Sequence, residues 1–356
     1  MIDSLDLSIL DSGSPDHAVA IARRGSDVAL ATIPFGSELG ELTSFRNRIE
    51  DAVRGKQTRP KAKELTDYGR RLFEFAIRGD ILALYDRLAA TTDVRLHILS
   101  NQPQLRNLPF EYLQEPRRRP GPSLERSVIR VVPTIGIDPV APIRCSPLRV
   151  LFVSSDPTDQ GPVSWPEVKS RIERTFQARL PAGKVVFEAV ESPDRRRLRE
   201  ILAEKEFDIL HFHGHGDVEG GTGRIILTKR GDKSDYVTSD KFAAMLSDRG
   251  LKLVVLSACD TATGNFQDDF SVTAESLIRS GIPAVVANQL PIPDASVATF
   301  VGPLYETLLR TGDIDLAMNE GRMALSIELE SADDATLEWG IPTLYRHFSM
   351  SQLYEP

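Results

Sequence analysis

Cysteine is nearly absent from this chain: 356 residues contain two, Cys145 and Cys259, which excludes a disulfide-built scaffold. No apolar run approaches the roughly 18 residues of a membrane helix. The first residues, Met1-Ile2-Asp3-Ser4-Leu5-Asp6, carry acids where a secretory leader carries Lys or Arg. The expectation is a cytoplasmic protein with no membrane partner. Positive charge is short as well. Lys and Arg number 43 against 51 Asp and Glu, a net −8, so no overall field draws the chain to nucleic acid. Two basic runs, at 117–119 and 195–197, have no interleaved aromatics and read as solvated loop and helix face. No Gly-x-Gly-x-x-Gly follows the first strand of the alternating region, so a dinucleotide binder is not expected, and no cofactor is.

What is present is an ordinary globular composition, 41% hydrophobic and 26% charged, long enough for one large domain or two ordinary ones. Residues 1–35 read as β, with strands at His17–Arg24 and Asp27–Phe35 joined by a two-residue turn led by Gly25. Leu65, Tyr68, Leu72, Phe75 and Ala76 recur at helical spacing, and Asp80 is expected to cap the next helix, whose apolar face is Ile81, Leu84, Tyr85 and Leu88. A strand carries Val94, Leu96 and Ile98. A short helix with Pro109 in its first turn, and a strand over Ser127–Thr134, follow. Residues 136–147 hold Gly136, Pro139, Pro142 and Pro147 and read as a linker. The expected division is therefore 1–140 as a smaller α+β region and 146–356 as a second domain.

Beyond the linker, strands and helices alternate. Strands are expected at Leu148–Ser155, Lys184–Val190, Asp208–Gly214, Leu251–Ala258 and Pro283–Gln289. Helices are expected at about Pro166–Ala178, Arg195–Glu204, Ser239–Ser247 and Ser271–Ser280, with two more, one around Val297–Leu308 and one at Ile314–Ile327. Leu253-Val254-Val255-Leu256 is apolar on both faces, as a parallel sheet with helices on each side requires. The fold class is α/β, a doubly wound and mostly parallel sheet. A small added hairpin, Gly223–Arg230 with Tyr236–Ser239, interrupts the alternation.

Ligands of such sheets bind beyond the carboxyl ends of the strands. Two of those ends are chemically unusual: His211-Phe212-His213-Gly214-His215-Gly216-Asp217 and Ser257-Ala258-Cys259-Asp260-Thr261. Neighbouring strands lie about 5 Å apart, so a thiol and an imidazole can meet there without being adjacent in sequence. A thiol beside an imidazole gains thiolate character and becomes a nucleophile; a buried structural cysteine is the plainer alternative for Cys259. Cys145, in the linker, has no such neighbour. Gly214 and Gly216 suggest a tight strand end whose free N–H groups can stabilise an oxyanion. His211, His213 and His215 share one strand face. They could instead ligate a metal with Asp217 or Asp260. In a third alternative, His211 hydrogen-bonds in the core and His213 is an ordinary rim residue.

Several blocks in order resemble the CHAT family, a caspase-related group. They are Ile209-Leu210-His211-Phe212-His213-Gly214-His215-Gly216, then Leu253 to Cys259-Asp260-Thr261, then Gly281-Ile282-Pro283-Ala284-Val285-Val286-Ala287. Leu108-Pro109-Phe110-Glu111-Tyr112-Leu113 stands upstream and Pro342-Thr343-Leu344-Tyr345 downstream. The likeness spans roughly 95–350, with 95–134 resembling the start of the family pattern. It implies a caspase-like fold and a cysteine endopeptidase of the caspase, separase and gingipain kind. Cys259 would be nucleophile and His215 base and then acid, with the N–H groups of Gly216 and Cys259 as oxyanion donors. The 44-residue separation is close to the roughly 50 of caspases. The family further implies a protein substrate, latency until a partner protein or ligand activates the enzyme, and a bacterial role in signalling or anti-phage defence. The segment Gly264–Phe270 would be a mobile loop. His213 stands where the family more often has a small residue, and would crowd or tune the base. Asp156, where caspases hold a basic residue, and Asp260 suggest a pocket for Arg or Lys before the cleaved bond, with His213 a further candidate for that pocket. A catalytically idle binding or scaffold module, and a metal-dependent hydrolase built on the three histidines, are the competing readings.

Overall fold

In the computed structural model, the structure describes residues 2–100, 102–124, 126–132, 142, 147–179, 183–258, 271–329, 336–347 and 351–355. The chain divides into two compact units, Met1–Val131 with Leu325–Gly340, and Val132–Ala324 with Ile341–Pro356.

The first unit opens with a meander of β1 (Ile2–Ser14), β2 (His17–Arg24) and β3 (Asp27–Pro34). Gly25, at φ 58°, supplies the left-handed residue that lets Arg24 pair directly with Asp27. Helices α1 (Ser37–Val53), α2 (Ala62–Ala76) and α3 (Gly79–Ala89) follow. Then come β4 (Asp93–Ser100), the short α4 (Pro103–Arg106) and β5 (Val128–Val131), giving the order β5-β4-β1-β2-β3 with β4 parallel to both β1 and β5. Leu65, Tyr68, Leu72, Phe75 and Ala76 form the buried stripe of α2, as their spacing requires. Two local expectations are corrected. Asp80 lies inside the first turn of α3, with Arg78 at the cap, because the chain enters that helix two residues earlier through Gly79 at φ 55°. Pro109 precedes a 3₁₀ turn, Phe110–Tyr112, where it costs no hydrogen bond. The returning segment joins this unit through Trp339, edge-on to Tyr112 at 5.0 Å, and through a Glu338–Arg59 ion pair.

The second unit holds β6 (Leu148–Ser154), α5 (Trp165–Arg179), β7 (Val185–Glu191), α6 (Arg195–Glu204), β8 (Ile209–Glu219), β9 (Thr222–Lys229), β10 (Lys233–Thr238) and α7 (Ser239–Leu246). It continues through β11 (Leu253–Ala258), α8 (Ser271–Arg279), β12 (Ala284–Asn288), α9 (Asp294–Thr311), the start of α10 (Ile314–Glu328), and β13 (Pro342–Arg346). The strand order is β7-β6-β8-β11-β12-β13, parallel throughout except for β13. One sheet face, with Leu151, Leu210, Phe212, Val254 and Val285, packs on Leu198 and Ile201 of α6, Phe242 of α7 and Leu277 of α8. Each such buried aliphatic or aromatic side chain contributes about 1.5–3 kcal/mol. The other face meets α5 and α9: Phe176 and His211 both lie against Tyr305. This is a caspase-like, doubly wound α/β arrangement, assembled from the apolar runs that the sequence displays.

The hairpin is present as β9–β10. However, β8 does not end at Gly214. It runs on to Glu219, and His215–Glu219 pair with β9. Gly216 thus stands in a ladder opposite Ile225 rather than in a tight turn, because β9 takes over an edge of β8 where the pairing with β6 and β11 stops. The linker residues 136–147, apart from 142 and 147, and the segment 264–270 lie outside the described residues. Among the described residues no helix is long and apolar enough to cross a membrane.

Candidate active site

The register of the central strands determines which side chains gather at their carboxyl ends. His211 pairs with Val255, His213 with Ser257 and Gly214 with Ala258, so β8 and β11 are neighbours, as the expected meeting of their ends requires. Cys259 and Asp260, the two residues after Ala258, lie outside the described residues, as does Cys145. Gly214 is needed for close approach. A Cβ there would stand 2.8 Å from the Ser155 carbonyl oxygen and 2.9 Å from the Phe212 ring.

The three histidines do share a face, and each has a different environment. His211 is fully buried. Its Nδ1 lies 2.9 Å from the Tyr305 hydroxyl and its Nε2 3.0 Å from Ser257 Oγ. Ser257 Oγ also lies 2.8 Å from His213 Nδ1 and donates to the Phe212 carbonyl at 3.2 Å. A hydroxyl has one proton and two lone pairs. With its proton on the carbonyl, Ser257 accepts from both rings, so His211 carries its proton on Nε2 and accepts from Tyr305 at Nδ1. Both ring nitrogens of His211 are therefore spent on hydroxyls, which removes it as a metal ligand. Among the described residues no three His, Cys, Asp or Glu side chains are arranged around a common ion position.

Burial, with His213 close by, pushes the His211 pKa well below 6.5. The unfolded chain then takes up this proton first as pH falls, so stability is lost from about pH 6.5 downward toward the folded-state value. Urea unfolding at pH 7, 6 and 5 should show that loss. His211→Gln, whose amide can serve both hydroxyls, should flatten the slope by up to about 1.4 kcal/mol per pH unit. An unchanged slope would mean that His211 does not titrate on unfolding.

His213 is neither at the rim nor on the wall of an open substrate pocket. Its ring has no exposed surface, because Ser257 holds one nitrogen and Asp294, in the first turn of α9, faces the other at 3.5 Å. His215 lies further out on the strand and is 4% exposed. Its Nε2 is 3.0 Å from the Gly161 carbonyl oxygen. A carbonyl only accepts, so Nε2 carries the proton, and in the neutral ring Nδ1 is the bare, basic nitrogen. Burial lowers the His215 pKa, opposed by the Gly161 bond and the charges of Asp156 and Asp294, and assisted by His213. The result is a neutral imidazole at pH 7 with its lone pair on a known atom. Asp156, just past β6, is half-buried, and its N–H donates to Ser192 Oγ.

Two contributors escaped the sequence reading. Gly161 sits in a loop with no periodicity. Asp294 follows Pro293 and reads as an ordinary helix-start acid. Nothing in either local pattern points 54 or 81 residues along the chain to β8.

The CHAT domain model matches residues 66–346. No curated protein matches the chain. Among solved structures, one chain of the Saccharomyces cerevisiae separase–securin complex at 2.6 Å matches with TM-score 0.53 and 12% identity, over 97% of this chain and 30% of that one. A second structure of the complex, at 3.0 Å, gives 0.47 and 12% with the same coverage. A structure described only as a protease gives 0.47 and 11%, over 90% of this chain and 77% of the other. This chain thus spans about 30% of the length of the first chain it resembles, and at 12% identity that likeness concerns fold. With blocks in order, a caspase-like sheet, and a family model matched over most of its length, the chain belongs to the CHAT domain family.

Proposed function

We propose that this protein is a cysteine endopeptidase in which Cys259 attacks the substrate carbonyl and His215 is the general base. One observation carries the reading: the Gly161 carbonyl holds the His215 Nε2 proton, leaving Nδ1 as the basic atom, on the residue that follows Gly214, the register partner of Ala258 at the end of β11; Cys259 follows Ala258 in the chain. The thiol proton passes to His215 Nδ1 as sulfur bonds to the carbonyl carbon. The N–H groups of Gly216 and Cys259 receive the oxyanion. The imidazolium then protonates the departing amine, and water, deprotonated by the same nitrogen, hydrolyses the thioester. A base that rests neutral suits this sequence, since it needs no preformed ion pair.

We assign this chemistry to residues 146–356, apart from the returning segment Leu325–Gly340 that packs in the first unit, with 1–140 as support or partner surface. The substrate is a protein, and its pocket favours Arg or Lys before the cleaved bond. Supporting this, the Asp156 carboxylate is close enough for its charge to act on His215; Asp260 adjoins the nucleophile in sequence. The enzyme is latent until a partner or ligand acts, in bacterial signalling or defence. The separase that it resembles in fold was solved with a protein, securin.

The test is to incubate wild type and Cys259→Ala with host-cell proteome, with and without proteins from neighbouring genes, and to map new N-termini. Cuts confined to wild type, after Arg or Lys, are expected. Cuts after Leu, Met or Asp would remove the Asp156 pocket. No Cys259-dependent cut under any condition, together with no His215-dependent labelling of Cys259 by a thiol probe, would remove the peptidase.

A further inference from the structure

Gly161, whose carbonyl orients His215, sits between two sets of anchors. On the side before it, the β9–β10 hairpin holds the loop. The Thr158 N–H and hydroxyl donate to the Asp232 carbonyl at 2.8 and 2.9 Å. Asp159 accepts from the Ser234 N–H and hydroxyl, both at 2.8 Å. The Gln160 amide reaches Ser234 Oγ at 2.9 Å and Tyr236 Oη at 3.1 Å. On the side after it, the Ser164 N–H donates to Asp294 Oδ2 at 2.6 Å.

Asp294 uses its carboxylate unusually for its place. A first-turn acid ordinarily serves its own helix terminus. Here Pro293 occupies the cap, with no side-chain capping bond, and the two oxygens of Asp294 point to other elements. Oδ2 holds the loop, and Oδ1 faces Nε2 of His213 at 3.5 Å. His213 is itself fixed by Ser257 and lies two residues before His215 on the same face of β8. One carboxylate therefore ties the β6–α5 loop to α9, and its other oxygen lies 3.5 Å from His213 of β8 with no hydrogen bond between the two.

We propose that Asp294 is a positioning residue: by anchoring Ser164 and facing His213, it holds the Gly161 carbonyl where it fixes the ring and the tautomer of His215. The mechanistic consequence rests on the peptidase reading; the placement of the ring does not. Loss of this anchor leaves the segment after Gly161 held by the packing of Val163 and the start of α5, without its hydrogen bond to α9, and the His215 Nε2 proton loses its defined acceptor. A displacement of about 1 Å at a catalytic group can cost 10²-fold in rate.

The experiment follows the ring nitrogens of His215 by 15N NMR in the full chain, alongside Cys259-dependent peptide cleavage. Wild type should show His215 as a neutral ring protonated at Nε2. Asp294→Ala should mix the tautomers and lower kcat about 10- to 100-fold with KM little changed. Ser164→Pro, which removes the donor N–H together with the hydroxyl and fixes the local φ, should do the same and decides the matter if Asp294→Ala does not fold. Asp294→Asn keeps an oxygen for Ser164 and should retain the wild-type ring signals and most of kcat. The proposal is overturned if His215 keeps its wild-type signals in the folded Asp294→Ala or Ser164→Pro variant, or if Asp294→Asn behaves like alanine. If wild type shows no Cys259-dependent cleavage, the peptidase reading falls, and the ring signals still decide the positioning.

Discussion

His215→Ala is expected to lower kcat for Cys259-dependent cleavage by about 10³- to 10⁴-fold, with KM changed much less. Two effects combine. General-base assistance alone is worth about 10²- to 10⁴-fold, and without it the thiol must ionise unaided. The same nitrogen protonates the leaving amine, which is too basic to depart as an anion. The residual rate would come from the oxyanion donors and from binding. The burial of the ring adds a sharper expectation about pH, which the Gly161 bond opposes only in part. Because burial lowers the His215 pKa, kcat/KM should fall on the acid side with a midpoint below 6.5. The charge of Asp156 favours the imidazolium, so Asp156→Asn should move that midpoint lower still. A His215→Ala enzyme within ten-fold of wild type, or an acid limb centred above 6.5, would remove His215 as the base.

The middle of the sheet was legible because β11 and β12 are buried on both faces. Leu253-Val254-Val255-Leu256 has one reading, and the helices between strands follow from period and length. The meeting of the two chemically loaded strand ends follows from the sequence only on the condition that β8 and β11 are neighbours, which the register supplies. Four features were not. The continuation of β8 through Gly214-His215-Gly216 depends on β9 arriving as a partner, and two glycines in sequence read as a turn. The burial of His213 depends on Ser257 and Asp294, 44 and 81 residues away. The Gly161 carbonyl is a backbone group, and any residue type could provide it. β13 is short and closes the unit's sheet antiparallel to β12, where a pattern of strand–helix alternation predicts nothing. Residues within one element announce themselves by period; groups brought together from separate loops do not.

Asp315→Ala is expected to destabilise the second unit by about 3–5 kcal/mol without changing the chemistry of the folded protein. Asp315 and Arg346 form a two-bond ion pair, Nε to Oδ1 at 2.9 Å and Nη2 to Oδ2 at 3.0 Å, with the side chains 0% and 4% exposed. Asp313 caps α10 by accepting from the N–H groups of Asp315 and Leu316, which presents the Asp315 carboxylate to β13. Truncation leaves a guanidinium in the interior with its carboxylate partner gone, although its Nη1 still reaches the His347 carbonyl at 3.0 Å. Much of the cost is that of leaving a buried guanidinium without this carboxylate rather than the net worth of the pair. The double variant Asp315→Leu with Arg346→Met should therefore recover much of the loss, since apolar replacement of a buried pair is often neutral or stabilising. Position separates this effect from catalysis. Arg346 pairs with Ala284, at the amino end of β12, whereas His215 lies past the carboxyl ends of the parallel strands. Urea midpoints for the two single variants and the double, with cleavage measured where each is folded, form the test. A single-variant loss below 1 kcal/mol, or losses that simply add in the double, would show that the pair does not act as a unit.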